Sequence, residues 1–116
     1  MRTALPVKYL DETIESLKKL NPVKIILFGS TVNGKTHEWS DLDLLVVLDS
    51  DKIPQSYEEK MKIKLDVRRT IREQSYKVPI DLLVYTRPEY EALTIQNSSF
   101  IKEIHAEGKT LYERES

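Results

Sequence analysis

The chain has 116 residues, of which 40% are hydrophobic, carries a formal net charge of −1 and contains no cysteine. That length suits a single domain across residues 1–116 with one core, and the near-neutral charge excludes the broad basic surface of a dedicated nucleic-acid binder. Disulfide staples and thiolate metal sites are excluded; no apolar run approaches the roughly 18 residues of a membrane span and no leader pattern is present, so the expected location is the cytoplasm.

In chain order, Val7, Leu10, Ile14, Leu17 and Leu20 recur at helical spacing and predict an amphipathic helix over residues 6 to 20, stopped by Asn21-Pro22. Val23 to Phe28 is short, rich in β-branched residues and closed by Gly29-Ser30, which reads as a buried strand. Leu42 to Leu48 reads the same way. After the polar turn Asp49 to Pro54, a long helix is expected from Tyr57 to about Gln74, with Tyr57, Met61 and Leu65 in one apolar row and Ile63, Val67 and Ile71 in another. It is long enough to serve as a crossover. Val78 to Tyr85 predicts a third strand, and Thr86-Arg87-Pro88-Glu89 has the spacing of a capping box with proline at the start of a helix. Ser98 or Asn97 caps a last helix ending at Gly108, and Lys109 to Tyr112 adds a short final strand. The expected class is α/β (α+β), a small mixed sheet flanked by helices.

The chemistry-bearing residues sit where these strands begin and end. Side chains alternate along a strand, so Asp41 and Asp43, two apart, project from one face while Leu42 and Leu44 point to the other. Two carboxylates that close repel, and a cation between them is expected. Asp81 lies inside another apolar run, where an ionised carboxylate is costly unless paired or metal-bound. If the two strands are neighbours, the carboxylates converge on a site for two magnesium ions, with hard oxygen ligands completed by substrate phosphates.

A competing motif shares the same glycine. Gly29-Ser30-Thr31-Val32-Asn33-Gly34-Lys35-Thr36 satisfies the P-loop pattern after a strand. A P-loop, however, runs into a helix whose N-terminus faces the phosphates, and a parallel crossover needs at least about 10–12 residues. Only the five residues His37 to Asp41 separate Thr36 from the next strand, so no crossover helix fits.

Leu27-Phe28-Gly29-Ser30, the stretch Ser40-Asp41-Leu42-Asp43-Leu44 whose Asp41 follows Ser30 after ten residues, the distal Asp81 and the tail Ile104 to Tyr112 together resemble the DNA-polymerase-β-like nucleotidyltransferases. The chain is similar to the minimal members of that superfamily that are encoded beside a helical HEPN partner. One departure is Asn33, before Gly34, where these relatives commonly carry arginine. The resemblance implies that Gly29 and Ser30 hold the triphosphate of ATP, that Asp41, Asp43 and Asp81 ligate two magnesium ions, and that AMP passes to a hydroxyl acceptor. In such relatives the acceptor is a tyrosine of a HEPN-family toxin, with the nucleotidyltransferase as antitoxin. Larger relatives add a helical domain that shapes the acceptor pocket, for which no residues remain after Tyr112, so a second chain is expected to supply the acceptor. Whether the assembly is a homo- or hetero-oligomer stays open, as do two other readings: a catalytically silent antitoxin that acts by contact, and an aminoglycoside-type transferase.

Several residues read more simply as structural. His37 and His105 have no cysteine or nearby histidine to complete a zinc set. Trp39 reads as a packing residue, and Lys18-Lys19 and Arg68-Arg69-Arg72 as solvated helix faces.

Overall fold

Short apolar runs bounded by turn formers become the strands of one sheet. The computed structural model describes residues 4–29 and 42–114. Strands β1 (Lys24–Phe28), β2 (Leu42–Leu48), β3 (Ile80–Thr86) and β4 (Lys109–Glu113) form a four-stranded sheet in the order β3-β2-β1-β4. β1 pairs antiparallel with β2 and with β4, whereas β2 and β3 are parallel, so the sheet is mixed as expected.

The helices are α1 (Ala4–Lys18), α2 (Tyr57–Thr70), α3 (Arg72–Lys77), α4 (Arg87–Gln96) and α5 (Ser99–Glu107). α2 and α3 together make the crossover that parallel β2 and β3 require. The strands alternate their side chains between two apolar layers. Ile25, Leu27, Leu42, Leu44, Val46, Leu82 and Val84 pack on one face against Leu17 of α1, Val67 of α2 and Ile71. Ile26, Leu45, Val47 and Leu83 pack on the other with Tyr90 of α4 and Ile104 of α5.

The crossover differs from the single long helix expected. Ile71 leaves helical geometry (φ −115°, ψ 25°) while fully buried, so the chain turns on a core side chain and α3 starts in a new direction. Only one of the two apolar rows of α2 packs inward, the one with Val67; Tyr57 and Leu65 of the other are 76% and 46% exposed. Amphipathic spacing marks a face, and an apolar row can be left on the surface when the sheet is already covered.

Local signals hold elsewhere. Ser56 caps α2 by accepting from the Glu59 N–H at 3.1 Å, and the Thr86 N–H donates to Glu89 Oε1 at 3.0 Å at the start of α4. α4 ends at Asn97 in the left-handed region (φ 55°), and Ser98 caps α5 through the Ile101 N–H. Among the described residues, no helix is long and apolar enough to cross a membrane.

Candidate functional site

The antiparallel register of β1 and β2 places Phe28 opposite Asp43, and the parallel register of β2 and β3 places Asp43 opposite Asp81. The two acids share the face that carries Leu45, Val47 and Leu83 further along, because they are an even number of residues away from them. Adjacent strands run about 4.8 Å apart, so the carboxylates of Asp43 and Asp81 rise side by side near the beginnings of their strands. Such a pair of hard oxygen donors suits magnesium or manganese.

Gly29 closes the site from the end of β1. Its φ of +85° lies where L side chains are rarely found, and a Cβ there would overlap Asp43 Oδ2 and come within 3.0 Å of Asp43 Cγ. The glycine is therefore required twice, by the backbone and by the carboxylate filling the space a side chain would take.

Asp81 is exposed, not buried as its apolar sequence context predicts. β3 is the edge of the sheet, and Asp81 is its second residue, before the strand reaches the apolar layer where Leu83, Tyr85 and Tyr90 meet. Its carboxylate is solvated, so it sits in the strand without the burial cost inferred from the sequence.

Ser30 and Asp41 lie outside the described residues, as do Asn33, His37, Trp39 and the remainder of the P-loop match. The P-loop reading nevertheless fails on the described strands, because β1 and β2 are antiparallel and need no crossover helix. With Asp41 outside, the described residues contain no cluster of three potential metal ligands.

Beside Gly29 opens a cavity of about 370 Å³, lined by Phe28, Phe100, Glu103 and Glu107 among others. Phe28 and Phe100 meet edge to face, their ring centroids 6.1 Å apart. Sequence reasoning did not single out this wall. The 100, 103, 107 spacing shows that these residues share a helix face, but only the docking of α5 beside β1 brings that face to Gly29. Gly108, just after α5, makes the approach possible: a Cβ there would overlap the Ile104 carbonyl and stand 2.9 Å from Ile26 Cγ2.

Other polar groups brace the surroundings. His105 Nε2 and the Tyr90 hydroxyl are 2.7 Å apart, tying α5 to α4, in keeping with a structural histidine. Burial pushes the Tyr85 hydroxyl above its ordinary value, which Lys60 opposes and Glu89 reinforces, so Tyr85 stays protonated at neutral pH. The Lys60 ammonium lies 4.9 Å over that ring and 2.8 Å from Glu89 Oε2.

The family model described as "Nucleotidyltransferase domain" matches residues 10–114. The chain belongs to the nucleotidyltransferase domain family. Its mixed sheet flanked by helices is consistent with the polymerase-β-like nucleotidyltransferase fold. The nucleotidyltransferase domain also resembles solved structures. A candidate nucleotidyltransferase from Sulfolobus solfataricus has a TM-score of 0.56 at 20% identity, with 92% of this chain and 79% of that one covered. A toxin–antitoxin crystal structure with AMP-PNP has a TM-score of 0.51 at 19% identity, covering 90% and 73%. A mutant of the toxin–antitoxin pair MntA-HpeT has a TM-score of 0.50 at 19% identity, covering 91% and 73%. At such identities the likeness extends to the fold. No curated protein matches this nucleotidyltransferase domain in sequence.

Proposed function

We propose that this nucleotidyltransferase domain transfers AMP from ATP to a hydroxyl group, and that the acceptor is a tyrosine on a HEPN-family toxin for which the chain is the antitoxin. The observation that carries the transfer chemistry is the in-register pair Asp43 and Asp81, with Gly29 packed against Asp43. In this reading Asp41, Asp43 and Asp81 hold two magnesium ions, which when bound neutralise phosphate charge and lower the pKa of the attacking hydroxyl. Gly29 lets the triphosphate approach the backbone closely, and Ser30 and neighbouring N–H groups donate hydrogen bonds to its oxygens. The acceptor oxygen bonds to the α-phosphorus, the bond from that phosphorus to the bridging oxygen breaks, and pyrophosphate leaves. Asp81, solvated at the sheet edge, takes the acceptor proton. Positioning and charge neutralisation supply most of the rate in such transfers.

The toxin partner is supported more indirectly. Two of the structural neighbours are described as toxin–antitoxin structures, one of them with AMP-PNP. The cavity beside Gly29 favours one other acceptor class, because the carboxylates of Glu103 and Glu107 suit an amine-bearing small molecule of the aminoglycoside type.

Incubation with α-labelled ATP, magnesium and the co-expressed HEPN-family partner tests the reading. Label should move to a tyrosine of the partner, and Asp43→Asn should abolish transfer while leaving the fold intact. Tight binding without transfer would replace the enzyme by a silent antitoxin; label on an aminoglycoside, with none on the partner, would replace the acceptor. Near-normal transfer by Asp43→Asn would sink the site assignment.

A further inference from the structure

The apolar row that α2 leaves outside is flanked by charges in a particular order. Tyr57, Met61 and Leu65 run along it at intervals of four, with Tyr57 and Leu65 exposed. Beside them, on the same groove of about 350 Å³, stand Glu58 in the first turn, Lys62 and Asp66 in the middle and Arg69 in the last turn. The groove continues through Leu65 and Arg69 to Tyr76 of α3, which is 80% exposed. Glu58 and Lys62 form no ion pair among the described residues, whereas Arg69 Nη1 contacts Asp66 Oδ1 at 2.7 Å, with both side chains mostly exposed. An unpartnered stripe with aromatic ends is unusual on the outer face of a helix.

We propose that this stripe is a self-association surface, where α2 packs antiparallel on α2 of a second copy of the chain about a two-fold axis. An isologous contact requires a surface complementary to itself when reversed. The stripe meets that requirement. With the axis beside the midpoint between Met61 and Leu65, Glu58 faces Arg69 of the second copy, Met61 faces its Leu65 and Lys62 faces its Asp66. At a rise of about 1.5 Å per residue, Met61 then lies level with its partner Leu65, and the two charge pairs agree in level to within about 3 Å, inside the reach of their side chains. A parallel arrangement would instead set Glu58 against Glu58 and Arg69 against Arg69.

The alternation of sign also selects against other occupants. Glu58 and Asp66 repel a phosphate backbone that Arg68, Arg69 and Arg72 would otherwise attract, so the stripe lacks the uniformly basic groove that tracks a nucleic-acid strand. A uniformly acidic protein would meet the same two carboxylates. Because α2 covers the face of the sheet opposite Asp43 and Asp81, the dimer leaves both copies of that site open, facing away from each other.

Sedimentation equilibrium of the purified full chain tests this, with the charge pair exchanged one side at a time. The wild type should dimerise with a dissociation constant in about the micromolar range, as befits a single helix pair. Glu58→Arg and Arg69→Glu should each weaken self-association at least about tenfold, since each sets like charges against one another at two symmetric places. Mixed in equal amounts, the two variants should form a mixed dimer of near wild-type affinity, because the exchanged charges are then complementary. Circular dichroism should show both variants folded, with melting lowered only modestly, because the side chains are exposed and the Arg69–Asp66 pair that is lost lies on the surface. A wild type that stays monomeric at its highest soluble concentration overturns the proposal, whether or not it binds a single-stranded RNA oligonucleotide. So does a dimer indifferent to both substitutions, or a mixture that fails to recover.

Discussion

Gly29 and Asp43 occupy each other's space: the place where a side chain on Gly29 would begin is filled by the carboxylate of Asp43. The two belong to different strands, and their contact is set by the pairing of Phe28 with Asp43. One residue supplies the turn's backbone and the other the charge, and neither can change without disturbing the other.

Gly29→Ala should therefore damage both stability and turnover. The methyl group meets Asp43 and the backbone is held at a φ of +85°, so a loss of about 1–3 kcal/mol is expected in urea unfolding, with Asp43 displaced. Unchanged stability together with unchanged AMP transfer would refute the required close approach.

Asp81→Asn should separate the two effects. Asp81 is exposed, so the melting temperature should stay within the range of ordinary surface changes, about 0.5 kcal/mol, while AMP transfer falls at least about 100-fold. Isothermal titration with magnesium and a non-hydrolysable ATP analogue should show weakened metal-dependent binding. A variant with full activity would remove Asp81 from the site.

Leu44→Ala probes the layer under the site. Leu44 is fully buried in β2, one residue from Asp43 and on the opposite face. Truncation should cost about 2–5 kcal/mol in chemical denaturation. A cost below about 1 kcal/mol would mean that the layer repacks around the gap.

The Asp49 and Arg114 pair gives a pH dependence. Arg114 Nη2 lies 2.6 Å from Asp49 Oδ2, and that hydrogen bond holds the Asp49 carboxyl below the ordinary aspartate value. A depressed folded-state value means that the pair stabilises fully above the unfolded pKa of about 3.9 and loses that contribution as pH falls through the lower folded value. Asp49→Asn should lower the melting temperature slightly at about pH 7, where the pair contributes fully, and the gap from wild type should close as pH falls below about 4, flattening the acid limb. An acid limb identical to the wild type would exclude the pair as its source.

Most elements were legible because their signals are local. Thr86, Ser98 and Gly108 act at helix ends within a few residues of their partners, and the strands around Ile26, Val46 and Val84 are short apolar runs between turn formers. The break at Ile71 was not legible, since helical spacing continues through it and only its burial in the sheet's core shows why the chain turns. The exposure of Asp81 was also hidden: an acid in an apolar run looks buried until the strand's place at the sheet edge is known.

The sequence by itself determined the alternation that sets Asp43 against Leu44, the glycine that ends β1 and the absence of room for a crossover helix before β2, because each depends on neighbours along the chain. Only the tertiary structure decided that Asp43 lies beside Asp81, that Asp43 fills the space above Gly29, that α5 brings Phe100 and Glu103 to that turn, and that Tyr57 and Leu65 face outward. Those relationships rest on residues well separated along the chain, and strand order and helix docking, which no local propensity encodes, bring them together.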